Sequence, residues 1–365
     1  MSRKLTYDIW LFGTAMLIVV LGLVMIYSAS AIIASQRFGT ASPYHFMMRQ
    51  CVWLFAGATL MTLLMHIDPS LLRHPRVVHG AMALVALALI AALFQSPING
   101  THRWIQFPWF NLQPSELAKP VLVVFIAWFL ARREERINDL TTTLLPLGCI
   151  LALYAGLVLL GRDFGTAATI VLVATGMIFA AGVAWRYVLA FAALLVPVGL
   201  YLAGSESYRR GRLLSFLNPE ADPLGKGFQA MQSLIALGTG GAGGLGIGNG
   251  RQKLFFLPEP HTDFIFSIIG EELGFIGAFA LLGAFTVLAW RGFRIARYTE
   301  DRFAFYAALG CTLMIALQAL INVSVALCLL PTKGLPLPLV SYGGSSLIAS
   351  LIAVGLLLNF SQQST

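Results

Sequence analysis

Ten stretches of this chain run for about 17 to 28 residues with almost no charge, and no soluble fold can bury so many. They fall at roughly 9–33, 50–67, 77–95, 115–132, 142–160, 164–183, 185–203, 263–290, 303–330 and 339–360. About 20 apolar residues in a helix cross the ~30 Å hydrocarbon core. Helices are required because lipid offers the backbone no hydrogen-bond partner. The expected fold class is all-α: a polytopic integral membrane protein of about ten transmembrane helices in a single domain, residues 1–365. Only 11% of residues are charged, against about 25% in soluble domains. The first run, Ile9 to Ile33, lacks a small-residue cleavage site and reads as a retained helix rather than a signal peptide.

Lys and Arg set the expected orientation. With the N-terminus inside, the inside loops collect twice as many of them as the short outside loops, so both termini are expected in the cytoplasm. Segment 204–262 then becomes one large extracytoplasmic loop. It carries Arg209, Arg210, Arg212, Lys226, Arg251 and Lys253, which topology does not require and an anionic ligand would explain. The net charge of +8 is spread over loops with no compact basic domain, so nucleic acid is not an expected partner. The four cysteines, Cys51, Cys149, Cys311 and Cys328, lie in apolar runs and read as buried, unpaired thiols.

Three segments carry polar chemistry. In "LPEPHTDFIFSIIGEELGF", 257–275, Asp263 stands at the border of loop and apolar run, beside Glu259 and His261. It could cap the following helix, as could Thr262, or serve as a general base. Glu271 lies eight residues on, about 12 Å deeper along a helix, inside the expected hydrocarbon. Glu272 points about 100° away, so the two are not expected to share one partner. Each is either paired and holding helices together or part of a proton or ion relay. In "NGTHRWIQFPWFNLQPSELAKP", 100–120, Ser115 could cap a helix, and Glu116 and Lys119 are spaced to pair at i,i+3. Arg103 and Lys119 could instead bind an acidic ligand, and Trp104, Phe107 and Trp109 suit the membrane interface. In "PTKGLPLPLVSYGGSSL", 331–347, broken backbone surrounds Lys333, Ser341 and Tyr342, which lipid tolerates only where such backbone lines a cavity or is buried in protein. Asp163 reads as a helix cap and Arg49 as a headgroup-level cation, each with a ligand-binding alternative.

"GFQAMQSLIALG" reads as a short amphipathic helix at the interface, followed by the glycine-rich run 238–250. That run contains GxGxxG by chance, because no strand precedes it and no βαβ unit surrounds it. It is either a surface loop or a cradle of N–H groups for phosphate. No HExxH, Cys/His cluster or GxSxG is present, which leaves zinc chemistry and serine hydrolysis without support. A basic, glycine-rich outer face with a few carboxylates points to an extracytoplasmic site, open to lipid, for a large phosphate-bearing substrate.

The strings "LPEPHTDFIFSIIGEELG", "NGTHRWI…QPSELAK", "DFGTA" and "PLPLVSYGGSS" strongly resemble the SEDS family, the FtsW and RodA proteins of bacterial cell-wall synthesis. The motifs run from "YSAS" near residue 27 to residue 347, nearly the whole chain, and Thr332-Lys333 favours the FtsW branch over RodA. The resemblance implies a peptidoglycan glycosyltransferase of the cytoplasmic membrane that polymerises lipid II. Its essential aspartate falls on Asp263, which would deprotonate the acceptor sugar's 4-hydroxyl for an inverting β-1,4 transfer with undecaprenyl pyrophosphate leaving. Arg49, Arg103, Lys119 and Lys333 are the expected phosphate-neutralising groups and Ser341 a further substrate contact. Glu116, Asp163, His261 and Glu271 are expected in support. No cofactor is implied; a divalent cation (magnesium or manganese) would be compatible with the leaving group, although no ligand cluster is evident. The implied partners are lipid II and the nascent glycan strand, a class B penicillin-binding protein, and divisome or elongasome proteins. The competing readings are a lipid II flippase, for which Glu271 and Glu272 would matter most, and a non-catalytic activator of the crosslinking enzyme.

Overall fold

In the computed structural model, residues 7–38, 42–98, 100–205, 211, 216, 227–254, 256–331 and 334–362 are described. Each expected span contains a helix: α1 Ile9–Phe38, α2 His45–His66, α3 Pro75–Leu93, α4 Pro114–Ala131, α5 Leu145–Leu160, α6 Phe164–Ala180, α7 Trp185–Ser205, α9 Ile265–Tyr298, α10 Arg302–Ala326 and α11 Gly344–Ser361. One further helix, α8 Phe228–Gly240, occupies the loop before α9. A two-residue hairpin, β1 Ile105–Gln106 with β2 Asn111–Leu112, lies between α3 and α4. The chain is an integral membrane protein: among the described residues eight helical segments are long and apolar enough to cross a bilayer, and α6 is apolar but shorter.

Burial separates centre from rim. The most apolar window of α11 is 89% buried, that of α4 78% and that of α10 61%, whereas that of α2 is only 17% buried. α11 reaches α2 through small residues: a Cβ on Gly355 would meet the Met61 carbonyl at 2.8 Å, so only glycine allows this approach. At the far end of the same interface Asn359 Nδ2 donates to the Leu64 and Ile67 carbonyls at 2.8 and 2.7 Å, satisfying the exposed C-terminal acceptors of α2. Asp301 caps α10 by accepting the Ala304 N–H at 2.8 Å.

The two ends of the bundle are distinguishable. Asp8 N–H donates to Ser361 Oγ at 3.1 Å, and Arg291 Nε donates to Asp8 Oδ2 at 2.8 Å. Residues 8 and 361 therefore sit where α9 finishes, and Asp263, just before α9 begins, lies at the opposite end. The cysteines are all free, but only Cys311 is buried; Cys149 is exposed on α5.

α9 departs most from expectation. Gly274 has φ 69° and ψ −169°, a conformation available essentially to glycine alone, and it breaks the helix in two. The second half, Phe275–Tyr298, is about 24 residues or roughly 36 Å long, enough to cross the bilayer alone. Large exposed apolar side chains begin at the break, with Phe275, Ile276 and Phe279 each about two-thirds exposed, whereas Ile265–Glu272 is buried in protein. Glu271 and Glu272 are therefore not forced into hydrocarbon, as a continuous helix from residue 263 would have required.

Backbone groups freed by the break pair with the glycine-rich run. Leu245 and Gly246 N–H donate to the Glu271 and Glu272 carbonyls at 3.0 and 2.9 Å; Phe275 and Ile276 N–H donate to Gly241 and Ala242 carbonyls at 2.9 and 3.2 Å. Gly244, at φ 79°, has its α-carbon against the Glu272 carbonyl, where any side chain would collide. Most of the run is exposed, but it is pinned: its N–H groups at 245 and 246 are spent on α9 and not available to a phosphate. α8 is the expected short helix, but it packs along α9 rather than standing apart. Ser233 Oγ lies 2.6 Å from Ser267 Oγ and 2.6 Å from the Ala326 carbonyl it donates to. Segment 228–262 is a folded-back hairpin laid against the first half of α9.

Candidate functional site

Asp263 is half-buried at the mouth of the bundle, and its backbone is fixed from three directions. The Tyr342 N–H donates to the His261 carbonyl at 2.9 Å, Ser341 Oγ to the Thr262 carbonyl at 2.6 Å, and Asn322 Nδ2 to the Asp263 carbonyl at 2.9 Å. Asn322 spends its second N–H on the Leu335 carbonyl at 2.7 Å. Asp263 does not occupy the cap of α9; that position belongs to Phe264, whose carbonyl accepts the Ser267 N–H.

The side chain of Asp263 faces Gly334. A Cβ on that glycine would lie 3.1 Å from Asp263 Oδ2 and 3.9 Å from Arg103 Nη1, so carboxylate and guanidinium both stand close to this glycine. Arg103 is about a quarter exposed, packs over the Trp104 ring and reaches Asp163 Oδ1 at 3.9 Å. Asp163 caps α6 through the Thr166 N–H at 3.2 Å, and its other oxygen accepts Gln113 Nε2 and Ser115 Oγ, each at 2.8 Å. Ser115 therefore serves Asp163 instead of capping α4, where Gln113 holds the cap position. Arg49, exposed at the start of α2, donates to the Trp109 carbonyl of the hairpin at 2.9 Å. It also stands beside Tyr342, whose phenol burial pushes above its usual range, Arg49 partly opposing.

His261 is buried among Phe46 and Tyr342, with ring centroids at 4.5 and 5.4 Å, and its Nε2 lies 3.4 Å from Glu259. Glu259 has φ 48°, a strained left-handed turn immediately before the aspartate. Lys333 lies outside the described residues.

Two expected ligand contacts are engaged elsewhere. Lys119 is buried within α4, holding Glu116 at 2.8 Å and Gln318 Oε1 at 2.5 Å. Gln318 in turn donates to the Pro336 carbonyl at 2.9 Å, so Lys119 supports the 334–343 segment from beneath. Ser341 Oγ both donates to Thr262 and accepts the Leu337 N–H at 2.8 Å, which makes it a clamp on Asp263.

Glu271 and Glu272 hold a single loop, although they point apart. Glu271 accepts the Arg251 and Gln252 N–H groups at 2.7 and 3.2 Å. Glu272 takes Lys253 Nζ at 2.6 Å, Ser28 Oγ at 2.6 Å and the Gly248 N–H at 3.0 Å. Asn322, Gln318, Gln50 and Ser28 escaped the sequence reading, because a lone amide or hydroxyl in an apolar run carries no periodic signal; Lys253, read there as a cation for an anionic ligand, is spent on Glu272 instead. Among the described residues, no three His, Cys, Asp or Glu side chains converge as a metal site.

Fold and site together define a polytopic helical membrane protein with a half-open, mixed-charge corner built on clamped loops at one end. The chain belongs to the FtsW/RodA/SpoVE family of cell cycle proteins, whose family model matches residues 8–365. It is 42% identical over 357 residues to a Geobacter metallireducens protein named probable peptidoglycan glycosyltransferase FtsW, covering 97% of this chain and 94% of that one. An Alcanivorax borkumensis protein of the same name is 42% identical, with 95% and 91% covered. Among solved structures, a chain of a peptidoglycan synthase complex, studied for the coordination of polymerization and crosslinking, superposes with TM-score 0.80 at 32% identity over 98% of both chains. The rod shape determining protein RodA of Thermus thermophilus matches with TM-score 0.70 at 28% identity, covering 98% of this chain and 97% of that one.

Proposed function

We propose that this protein is a peptidoglycan glycosyltransferase of the FtsW type, polymerising lipid II in the bacterial cytoplasmic membrane. The observation that carries the reading is the mouth itself: a half-buried carboxylate, its backbone held by three separate donors, facing an arginine across a glycine. Such preorganisation suits a general base, which contributes roughly 10²–10⁴ in rate. Asp263 takes the proton of the acceptor 4-hydroxyl, the oxygen attacks the donor's anomeric carbon from the opposite face, and undecaprenyl pyrophosphate departs with the bonding pair. Inversion needs one base and no covalent intermediate. Arg103, Arg49 and Lys333 supply positive charge to the departing pyrophosphate. Asp163 orients Arg103; Glu116, through Lys119, and Ser341 hold the loops in place.

The chain works as one domain, residues 1–365, with both termini cytoplasmic and segment 204–262 on the extracytoplasmic side, where lipid II and the growing strand meet Asp263. A class B penicillin-binding protein crosslinks the product, a pairing that the matched complex, which joins polymerization to crosslinking, supports; divisome proteins recruit the pair. The flippase alternative rests on Glu271 and Glu272, and their saturation by loop 248–253 favours a structural role instead. The deciding experiment uses purified protein, its cognate partner and lipid II in detergent. Asp263→Asn is expected to form no glycan polymer, and polymerisation at the wild-type rate would refute the mechanism.

A further inference from the structure

Residues 251–272 form a closed loop. One limb is the first half of α9, a rigid helix; the other, as described at 251–254 and 256–262, is an irregular run of turns, with Leu257 buried and its N–H on the Gln252 carbonyl at 2.9 Å. Thr262 and Asp263 form the apex. The foot is fastened by Glu271 on the Arg251 and Gln252 N–H groups, and by Glu272 on Lys253 and the Gly248 N–H. Ser28 of α1 enters the same knot, donating to Glu272 and accepting Lys253 Nζ at 3.0 Å. Lys253 also donates to the Gly248 carbonyl at 2.7 Å, so this ammonium has three acceptors, and both partners of the ion pair are almost wholly buried.

We propose that Lys253, Glu272 and Ser28 are positioning residues for Asp263, a role that rests on the reading of Asp263 as the catalytic base. The irregular limb has no secondary structure to fix its path. With the foot released, it slides along α9 and tilts the apex, and Asp263 changes its distance to Arg103. The apex clamps from Asn322, Ser341 and Tyr342 hold carbonyls, which sets where the backbone sits; the foot sets the direction from which the chain arrives. A displacement of about 1 Å at a reacting group costs on the order of 10²-fold in rate. The knot is also the point where α1 touches the loop, so a shift of α1 is transmitted to the base.

The test uses the full-length protein with its cognate partner. Lys253→Gln/Glu272→Gln removes both charges together, leaves no unpaired ion and keeps hydrogen-bonding groups in place. The expected result is a kcat lower by about 10- to 100-fold, with KM for lipid II within about twofold and a folded fraction equal to wild type by size exclusion. In the Asp263→Cys background, the same double substitution is expected to change the alkylation rate of the thiol by a water-soluble maleimide. Turnover per folded molecule at the wild-type level, together with an unchanged thiol rate, would overturn the proposal. Should the double variant fail to fold, Ser28→Ala removes only the α1 tether; it is expected to lower kcat several-fold, and an unchanged kcat would count against the proposal equally. Asp263→Ala is the control that separates the two readings. If it polymerises normally, the base assignment fails while the thiol measurement still decides the positioning role. If it is inactive and the double variant is not impaired, only the positioning role falls.

Discussion

Two carboxylate clusters, one just before α9 and one eight residues on in its first half, are built differently. At the mouth, Asp263 is half-buried and faces a partly exposed arginine that itself sits 3.9 Å from Asp163. At the foot, Glu271 and Glu272 are buried, and their donors stand at 2.6 to 3.3 Å. A buried ion pair with all its neighbours in place has nothing left to offer a ligand. At the mouth the clamps fall on the backbone carbonyls of residues 261–263, beside a carboxylate that is only half-buried. Carboxylates on one segment thus sit in two settings: at the foot they are buried among backbone and ammonium donors, and at the mouth one stands half-buried near an arginine.

The contrast can be broken from either side. The largest effect is expected at the mouth: Asp263→Asn should reduce polymerisation by roughly 10²–10⁴-fold with the melting temperature in detergent unchanged. A loss of stability there would erase the distinction. At the foot, Lys253→Met leaves Glu272 charged and buried with its cation removed, which should cost about 3–5 kcal/mol, read as a lower midpoint in thermal denaturation. Gly244→Ala forces a side chain onto the Glu272 carbonyl at a positive φ and should destabilise by about 1–3 kcal/mol in the same assay. Back at the mouth, Gly334→Ala places a methyl 3.1 Å from Asp263 Oδ2. It should lower kcat by a few-fold, equivalent to about 1 kcal/mol, without changing stability.

The smallest effect is expected at Tyr342. Burial raises its phenol above the ordinary value near 10, so the folded state retains this proton more tightly than the unfolded chain. The stabilisation is then fully present below about pH 10 and is lost only as pH rises through the higher folded value. Tyr342→Phe should leave the stability profile between pH 6 and 9 flat, as checked by melting temperature across that range.

Much of this was legible in the sequence, and the parts that were not share a cause. Ten apolar runs gave ten helices because length and hydropathy suffice when lipid is the solvent. The i,i+3 spacing of Glu116 and Lys119 anticipated their ion pair, and Asp163 was readable as a cap. The role of the glycine run was hidden, since it depends on a break at Gly274 about 30 residues further on, and a glycine inside an apolar stretch does not declare its φ. The expectation that Lys119 neutralises phosphate missed its second partner, Gln318, because that residue and the Pro336 carbonyl it holds are remote in the chain. Local pattern reveals what a segment is; it does not reveal which distant carbonyl a buried amide has been reserved for.

The interrupted α9 has a mechanical consequence. Ile265–Leu273 is a stalk of nine residues, about 14 Å tall, rising from the point where lipid-facing side chains begin. It works as a ruler that sets how far above the acyl chains the aspartate stands. Inserting or deleting one residue would shift Asp263 by about 1.5 Å and swing it by about 100°, turning it away from Arg103. The length of the stalk is therefore as constrained as the buried residues that compose it.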